Sequence, residues 1–498
     1  MNHIPIISLG AIDIRAVTMS LKSGMRLEVA NALNILTMVA SYRGMTLILM
    51  QCDDLLDVLL DYLEQDFIRS FYEFDNEGTD HETKYSCDGD GKEIIVNGGC
   101  EKDGLVPQEY TYAELFDLTL DEMKSVIPKL ENSSSELWLS RRERCTCLMN
   151  LIRNLSFMAE NQDFLANHHR FVDVLARTLT VRTKAELADK WEKRKGGGYV
   201  NVREMDILDH RKSVLIILSN IVAFMTLRSA EIATALVALV GDFLRSGPET
   251  YYSQVAIEVW SKMSVSYDNR LILETLDTQR RRWREQQQED EEDEEAEGQG
   301  QGQEGPAVVT VVENHDQADD GFLQIERIWT ELATAIRRDY FDPSTGRVIP
   351  TIHSTQLAVL EMAMMGLYNI AVLARDEQTK ARLVRRERGV AMMVLRLCVM
   401  LAETGNTGFS NVCRRGVELV RALVAGGDGG RRRSMDVEEA AGVGKNRKKC
   451  ARGTAVMIGL INVASLSEML MQAMLRGSMD QEIMRELWDL VGVVDAAA

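Results

Sequence analysis

Apolar residues recur three and four positions apart along most of this chain, and strand-like alternation is nearly absent. Ile232, Ala235, Leu236, Leu239, Val240 and Phe243 fall on one face at helical spacing, the pattern of a helix that buries a single stripe. Amphipathic helices are predicted likewise over Phe171 to Leu179 and Val390 to Leu401. Val214 to Thr226 and Leu357 to Ala374 are apolar almost all round. Such helices must be covered on more than one side, which puts them in the middle layer of a helical stack.

A short phrase recurs inside these helices: an Asn followed by an aliphatic residue. It appears as Leu33-Asn34-Ile35, Arg153-Asn154-Leu155, Ser219-Asn220-Ile221, Tyr368-Asn369-Ile370 and Ile461-Asn462-Val463, with a degenerate copy at Ser261-Lys262-Met263. The step from 220 to 262 is 42 residues, and that from 369 to 462 is 93, two units of similar length. Those periods match armadillo and HEAT units, in which a helix pair or triplet cannot bury its own apolar face without neighbours. The expected fold is all-α, an armadillo/HEAT-like right-handed solenoid of roughly six to nine units interrupted by disordered loops. Residues 1–280 form its N-terminal part, with polar inserts at about 75–104 and 190–203; 281–320 form a disordered acidic insert; 321–498 form the C-terminal part, with a flexible loop at about 426–453.

Composition sharpens this. Only 7 prolines in 498 residues argue against turn-rich β architectures and proline-rich linkers. With 57 Lys+Arg against 76 Asp+Glu the net charge is −19, which disfavours general nucleic-acid binding. Ten of the acids lie between 285 and 304, a stretch without a base, so the rest of the chain carries −9. Eight dispersed cysteines do not make a disulfide scaffold and indicate a reducing compartment. The N-terminus shows neither the basic region nor the cleavage site of a secretory signal. The uncharged stretch between Lys212 and Arg228 spans only 15 residues and carries polar side chains, too short for a membrane span.

A search for site chemistry leaves catalytic, cofactor-binding and metal positions all without a candidate. Gly442-Val443-Gly444-Lys445-Asn446 has Asn where a phosphate loop needs Ser or Thr, and Glu439 where it needs Gly. Asp88 to Glu93 places Lys92 and Glu93 where a calcium loop needs a ligand and a Gly. Cys145 and Cys147, followed by His168 and His169, sit two apart on one helix, so their thiolates point away from each other and cannot share a zinc ion. His81, Cys87 and Cys100 share a polar loop at irregular spacing. The basic runs at Arg280 to Arg284, Arg431 to Arg433 and Lys445 to Lys449 fit import signals, phosphate contacts or plain solvated charge equally well.

The recurrent Asn residues admit two compatible readings. Each side chain can satisfy buried backbone in a neighbouring turn; alternatively, a stack aligns Asn154, Asn220 and Asn369 into a ladder that hydrogen-bonds an extended partner segment.

Ile6 to Ile14, Met19 to Val29, Cys52-Asp53-Asp54-Leu55-Leu56-Asp57, Cys147 to Phe157 and Asp209 to Ile221 together resemble the C-terminal region of the fungal ARID-type subunit of the SWI/SNF chromatin-remodelling complex. The resemblance implies a nuclear, non-enzymatic, armadillo-like scaffold that organises other subunits for transcriptional regulation and connects them to the ATPase subunit, which alone hydrolyses ATP. No basic helix-turn-helix stretch resembles an ARID module here, so direct DNA binding is not implied; the chain reads as a truncated or divergent member, or one whose beginning is missing. It implies no cofactor, no membrane and no small-molecule substrate. Two other classes stand beside it: a nuclear-transport or signalling armadillo adaptor for extended peptides, and an enzyme on a helical scaffold.

Overall fold

The computed structural model describes residues 12–42, 45–69, 111–124, 136–179, 204–245, 249–276, 321–342, 344–349, 352–374, 377–387, 389–404, 406–424, 467–468, 470–472 and 481–497. The Asn462 copy of the repeat, the acidic insert, the glycine- and lysine-rich stretch at 442–446, the basic runs and the His81, Cys87 and Cys100 group lie outside these residues. Among the described residues the fold is all-α, with no β-structure beyond a lone antiparallel bridge between Phe341 and Val348.

The chain divides into two compact units, Met1–Asp242 and Phe243–Ala498. The first contains α1 (Ile14–Lys22), α2 (Arg26–Ser41), α3 (Leu55–Leu63) running on into a π-helical turn, α4 (Tyr112–Lys124), α5 (Glu136–Ser156), α6 (Ala159–Asn167), α7 (Phe171–Thr178) and α8 (Glu204–Ile221), with α9 (Ala230–Leu244) ending at the boundary. Asp13 starts α1 by accepting hydrogen bonds from the amides of Arg15 and Ala16 at 2.9 and 3.3 Å, a side-chain cap for otherwise orphaned donors. Helix α5 packs between α2 and α8, and α8 packs in turn on α4. Leu148, Leu151 and Leu155 of α5, and Val214, Leu215, Ile217, Leu218 and Ile221 of α8, are fully buried or nearly so.

The helix predicted from Val214 to Thr226 stops at Ile221. Beyond it the chain turns, burying Val222, Met225 and Leu227 while Phe224 stays 46% exposed. An apolar run is thus divided between a helix and the turn that follows it, which composition does not distinguish.

Helices α2, α5 and α8 run in the same direction. Thr37 of α2 meets Cys147 of α5 at 3.5 Å and, further along both, Ser41 meets Asn154 at 3.5 Å. Likewise Arg153 of α5 reaches Ser213 of α8 at 3.4 Å, and Ser156 reaches Asn220 at 2.9 Å. An up-and-down bundle with short connections would make neighbours antiparallel. Parallel neighbours are what equivalent helices of successive units produce.

The second unit contains α10 (Thr250–Met263), a helical stretch over 267–276, α11 (Gly321–Tyr340), α12 (Ser354–Leu373), α13 (Glu377–Arg386), α14 (Val390–Glu403), α15 (Ser410–Val424) and α16 (Gln481–Ala497). Helix α12 is contacted by α10, α11 and α15, and α15 by α12, α14 and α16. Among the described residues, α12 alone is long and apolar enough to cross a membrane; its three neighbours account for that apolarity, as expected of a middle layer.

Residues 249–276 pack within the second unit, where they make a close fit. Trp260 is fully buried on α10 and its indole N–H donates to the Gly366 carbonyl of α12 at 3.3 Å; a Cβ at Gly366 would come within 2.9 Å of that ring. Gly416 of α15 makes a tighter approach, where an added Cβ would lie 2.3 Å from the Cys398 sulfur and 3.1 Å from Val394.

Two stability predictions follow from these cores. Gly416→Ala should destabilise the second unit by about 2 kcal/mol, because both neighbours are backed by buried side chains, lowering its melting temperature by roughly 4–8 °C in calorimetry. In the first unit, burial and Arg211 push the His210 pKa down to about 3 from 6.5, while its Nε2 lies 2.8 Å from the Thr178 hydroxyl. The unfolded chain therefore binds a proton below pH 6.5 that the folded chain refuses. Stability should fall as pH drops from 6.5 towards 3, with this group contributing a slope of up to ~1.4 kcal/mol per pH unit; denaturant titrations of His210→Gln should show a correspondingly shallower slope.

Candidate partner-binding surface

The parallel helices of the first unit bring three C-terminal ends to one edge, and the recurrent Asn residues are the rungs between them. The Asn154 amide donates to the Ser41 hydroxyl at the end of α2, and the Asn220 amide to the Ser156 hydroxyl at the end of α5. Asn154 and Asn220 are half-buried and Asn34 is exposed. In the second unit Asn369 is fully buried. Its amide nitrogen donates to the Ser264 hydroxyl at 2.9 Å and the Ser261 carbonyl at 3.3 Å, and its carbonyl oxygen accepts from Arg270 at 2.8 Å. Asn369 therefore has no surface to offer a partner, and satisfying the preceding turn is the role its geometry fits.

A second pair of asparagines, which the sequence reading passed over, locks the turns themselves. Asn161 is fully buried and its amide nitrogen donates to the carbonyls of Leu155 and Leu47, while its oxygen accepts the Leu49 amide at 2.9 Å. Asn269, equally buried, donates to the Met263 carbonyl at 3.0 Å. One residue further on, Gln162 donates to the Ser156 carbonyl and Arg270 to the Ser264 carbonyl. The two turns thus repeat one hydrogen-bonding scheme residue for residue. The signal was present in the sequence, since Ser156 and Asn161 stand five apart and so do Ser264 and Asn269.

Along the edge of the first unit, each helix end also leaves a large apolar side chain in solvent. Tyr42 follows α2 at 45% exposure, Phe157 follows α5 at 58%, and Phe224 follows α8 at 46%. Singly exposed apolar residues are commonplace; three that follow helix ends joined by the Asn rungs form a row. Helix α6 begins directly after Phe157 and Met158, and on it Glu160, Asp163, Phe164, Asn167 and the following His168 line a shallow pocket with Met50, about 350 Å³ in volume. Asp163 accepts a hydrogen bond from Asn167 at 2.9 Å, and burial holds the His168 pKa below its ordinary value.

The groups weighed for metal chemistry are dispersed. Cys145 is buried, Cys147 faces Thr37, and His168 lies 3.5 Å from Asp57 and stacks on His169. Among the described residues, no three His, Cys, Asp or Glu side chains gather as a metal site.

Truncating the rungs should separate their roles. Asn161→Ala leaves buried backbone groups of three residues without partners and should cost about 3 kcal/mol in chemical denaturation, whereas Asn154→Ala, at a long and exposed contact, should change stability by less than about 0.5 kcal/mol.

No curated protein matches the chain. Residues 139–241, which run from α5 into α9 and carry Asn154, Phe157, Asn220 and Phe224, match the family model described as SWI/SNF-like complex subunit BAF250/Osa, so this stretch is similar to a SWI/SNF complex subunit.

Proposed function

We propose that the chain is a non-catalytic scaffold subunit of a SWI/SNF-type ATP-dependent chromatin-remodelling complex in the nucleus, of the fungal ARID-type line. Its helices form an armadillo-like solenoid that holds other subunits, the ATPase subunit among them, in fixed relation for transcriptional regulation. One observation carries the reading: the family match covers α5 and α8, which stand parallel, together with the exposed Phe157 and Phe224 that follow them. A stack of parallel layers offers a long edge with repeated side chains, the kind of surface on which solenoids hold partner segments. Asn154 and Asn220, half-buried between those side chains, are the amides available to such a segment.

Affinity purification of the tagged chain from nuclear extract should recover a remodelling ATPase together with other subunits of its complex. Leu218 is fully buried in α8, and Leu218→Asp places a charge in that core at a cost of about 4 kcal/mol or more. It should release the other subunits while the ATPase subunit keeps its own hydrolysis. A mutant that purifies with every subunit in normal yield would contradict the scaffold reading.

A further inference from the structure

We propose that the edge formed by the C-terminal ends of α2, α5 and α8, with the outer face of α6, receives a basic segment of another subunit, its Arg or Lys side chains lying against Tyr42, Phe157 and Phe224. This deepens the scaffold reading and rests on it. Three observations fix the chemistry of the occupant. Helices running side by side bring their C-terminal carbonyls to one edge, and the partial negative charges of parallel helices add there instead of cancelling. Among the described residues, neither α2 nor α8 has a basic residue in its last turn, and Arg153, in the last turn of α5, is directed to Ser213. The exposed side chains on the edge are aromatic, whose faces attract guanidinium and ammonium groups.

The same charge continues beyond Phe157. Glu160 and Asp163 are exposed on the face of α6 that also shows Phe164, with Met50 beside them at 72% exposure. Apolar Met50 and Phe164 in the same lining as the Glu160 and Asp163 carboxylates suit a side chain with an aliphatic stem and a cationic head. An acidic segment would meet the negative ends of these helices along the edge and the carboxylates in the pocket, where Arg228, bound to the Asn167 and His169 carbonyls, is the neighbouring cation.

The test uses the full chain in its assembled state. A photo-crosslinking amino acid replaces Phe157, the complex is purified through the tagged chain and irradiated, and the captured segment is sequenced by mass spectrometry. The expected capture is a segment of another subunit with Arg or Lys at or beside the crosslinked residue. In the same preparation, the double variant Glu160→Lys and Asp163→Lys should lower the capture yield about fivefold with an unchanged melting temperature. Capture of a segment of this chain, of a second copy, or of an acidic or uncharged segment would overturn the proposal, as would a yield unaffected by the two substitutions. A complex recovered intact with no capture overturns this inference alone. Failure to recover any remodelling subunit overturns the scaffold reading and this inference with it.

Discussion

Helices laid side by side in the same direction bring like ends of their dipoles together, and something at those ends must hold them in place. In both units a hydrogen bond between side chains of successive layers does so: Asn154 to Ser41 and Asn220 to Ser156 in the first, Asn369 to Ser264 in the second. The serine acceptors close the circuit locally, Ser156 on the Arg153 carbonyl and Ser264 on the Trp260 carbonyl. Each rung joins a helix to the turn that ends its neighbour. Layers tied in this way have their register set at one end, and the apolar faces behind the rungs fall into contact.

The same device sorts the asparagines by function. Where the layer is covered on three sides, as α12 is, the Asn is sealed in and works entirely for the fold. Where it stands at an edge, as on α5 and α8, the Asn is only half-buried. A single sequence phrase thus yields a buried strut and a half-open rung, and only the neighbours determine which.

Much of the architecture was legible because it rests on local periodicity. The helical spacing of Ile232 to Phe243, the all-round apolarity of Leu357 to Ala374 and the short amphipathic runs at Phe171 and Val390 each correspond to a helix near the expected bounds. The end of α8 was not legible, since Val222, Phe224 and Met225 continue the apolar run and only the turn decides which of them is buried. The Asn161 and Asn269 locks escaped notice because each is a lone polar residue, meaningful only through backbone carbonyls six residues earlier in the chain.

The sequence by itself determined that the protein would be helical and layered, because a period of three to four apolar positions with almost no proline leaves the backbone little else to form. It also determined where an amide would recur. Tertiary structure alone decided that helix ends would gather at one edge, that 249–276 would join the second unit through Trp260 and Gly366, and that Asn369 would be buried while Asn154 and Asn220 would not. These outcomes depend on contacts between residues tens to more than a hundred positions apart, set by the fit of side-chain volumes and the direction of neighbouring helices, and neither is written in any local pattern.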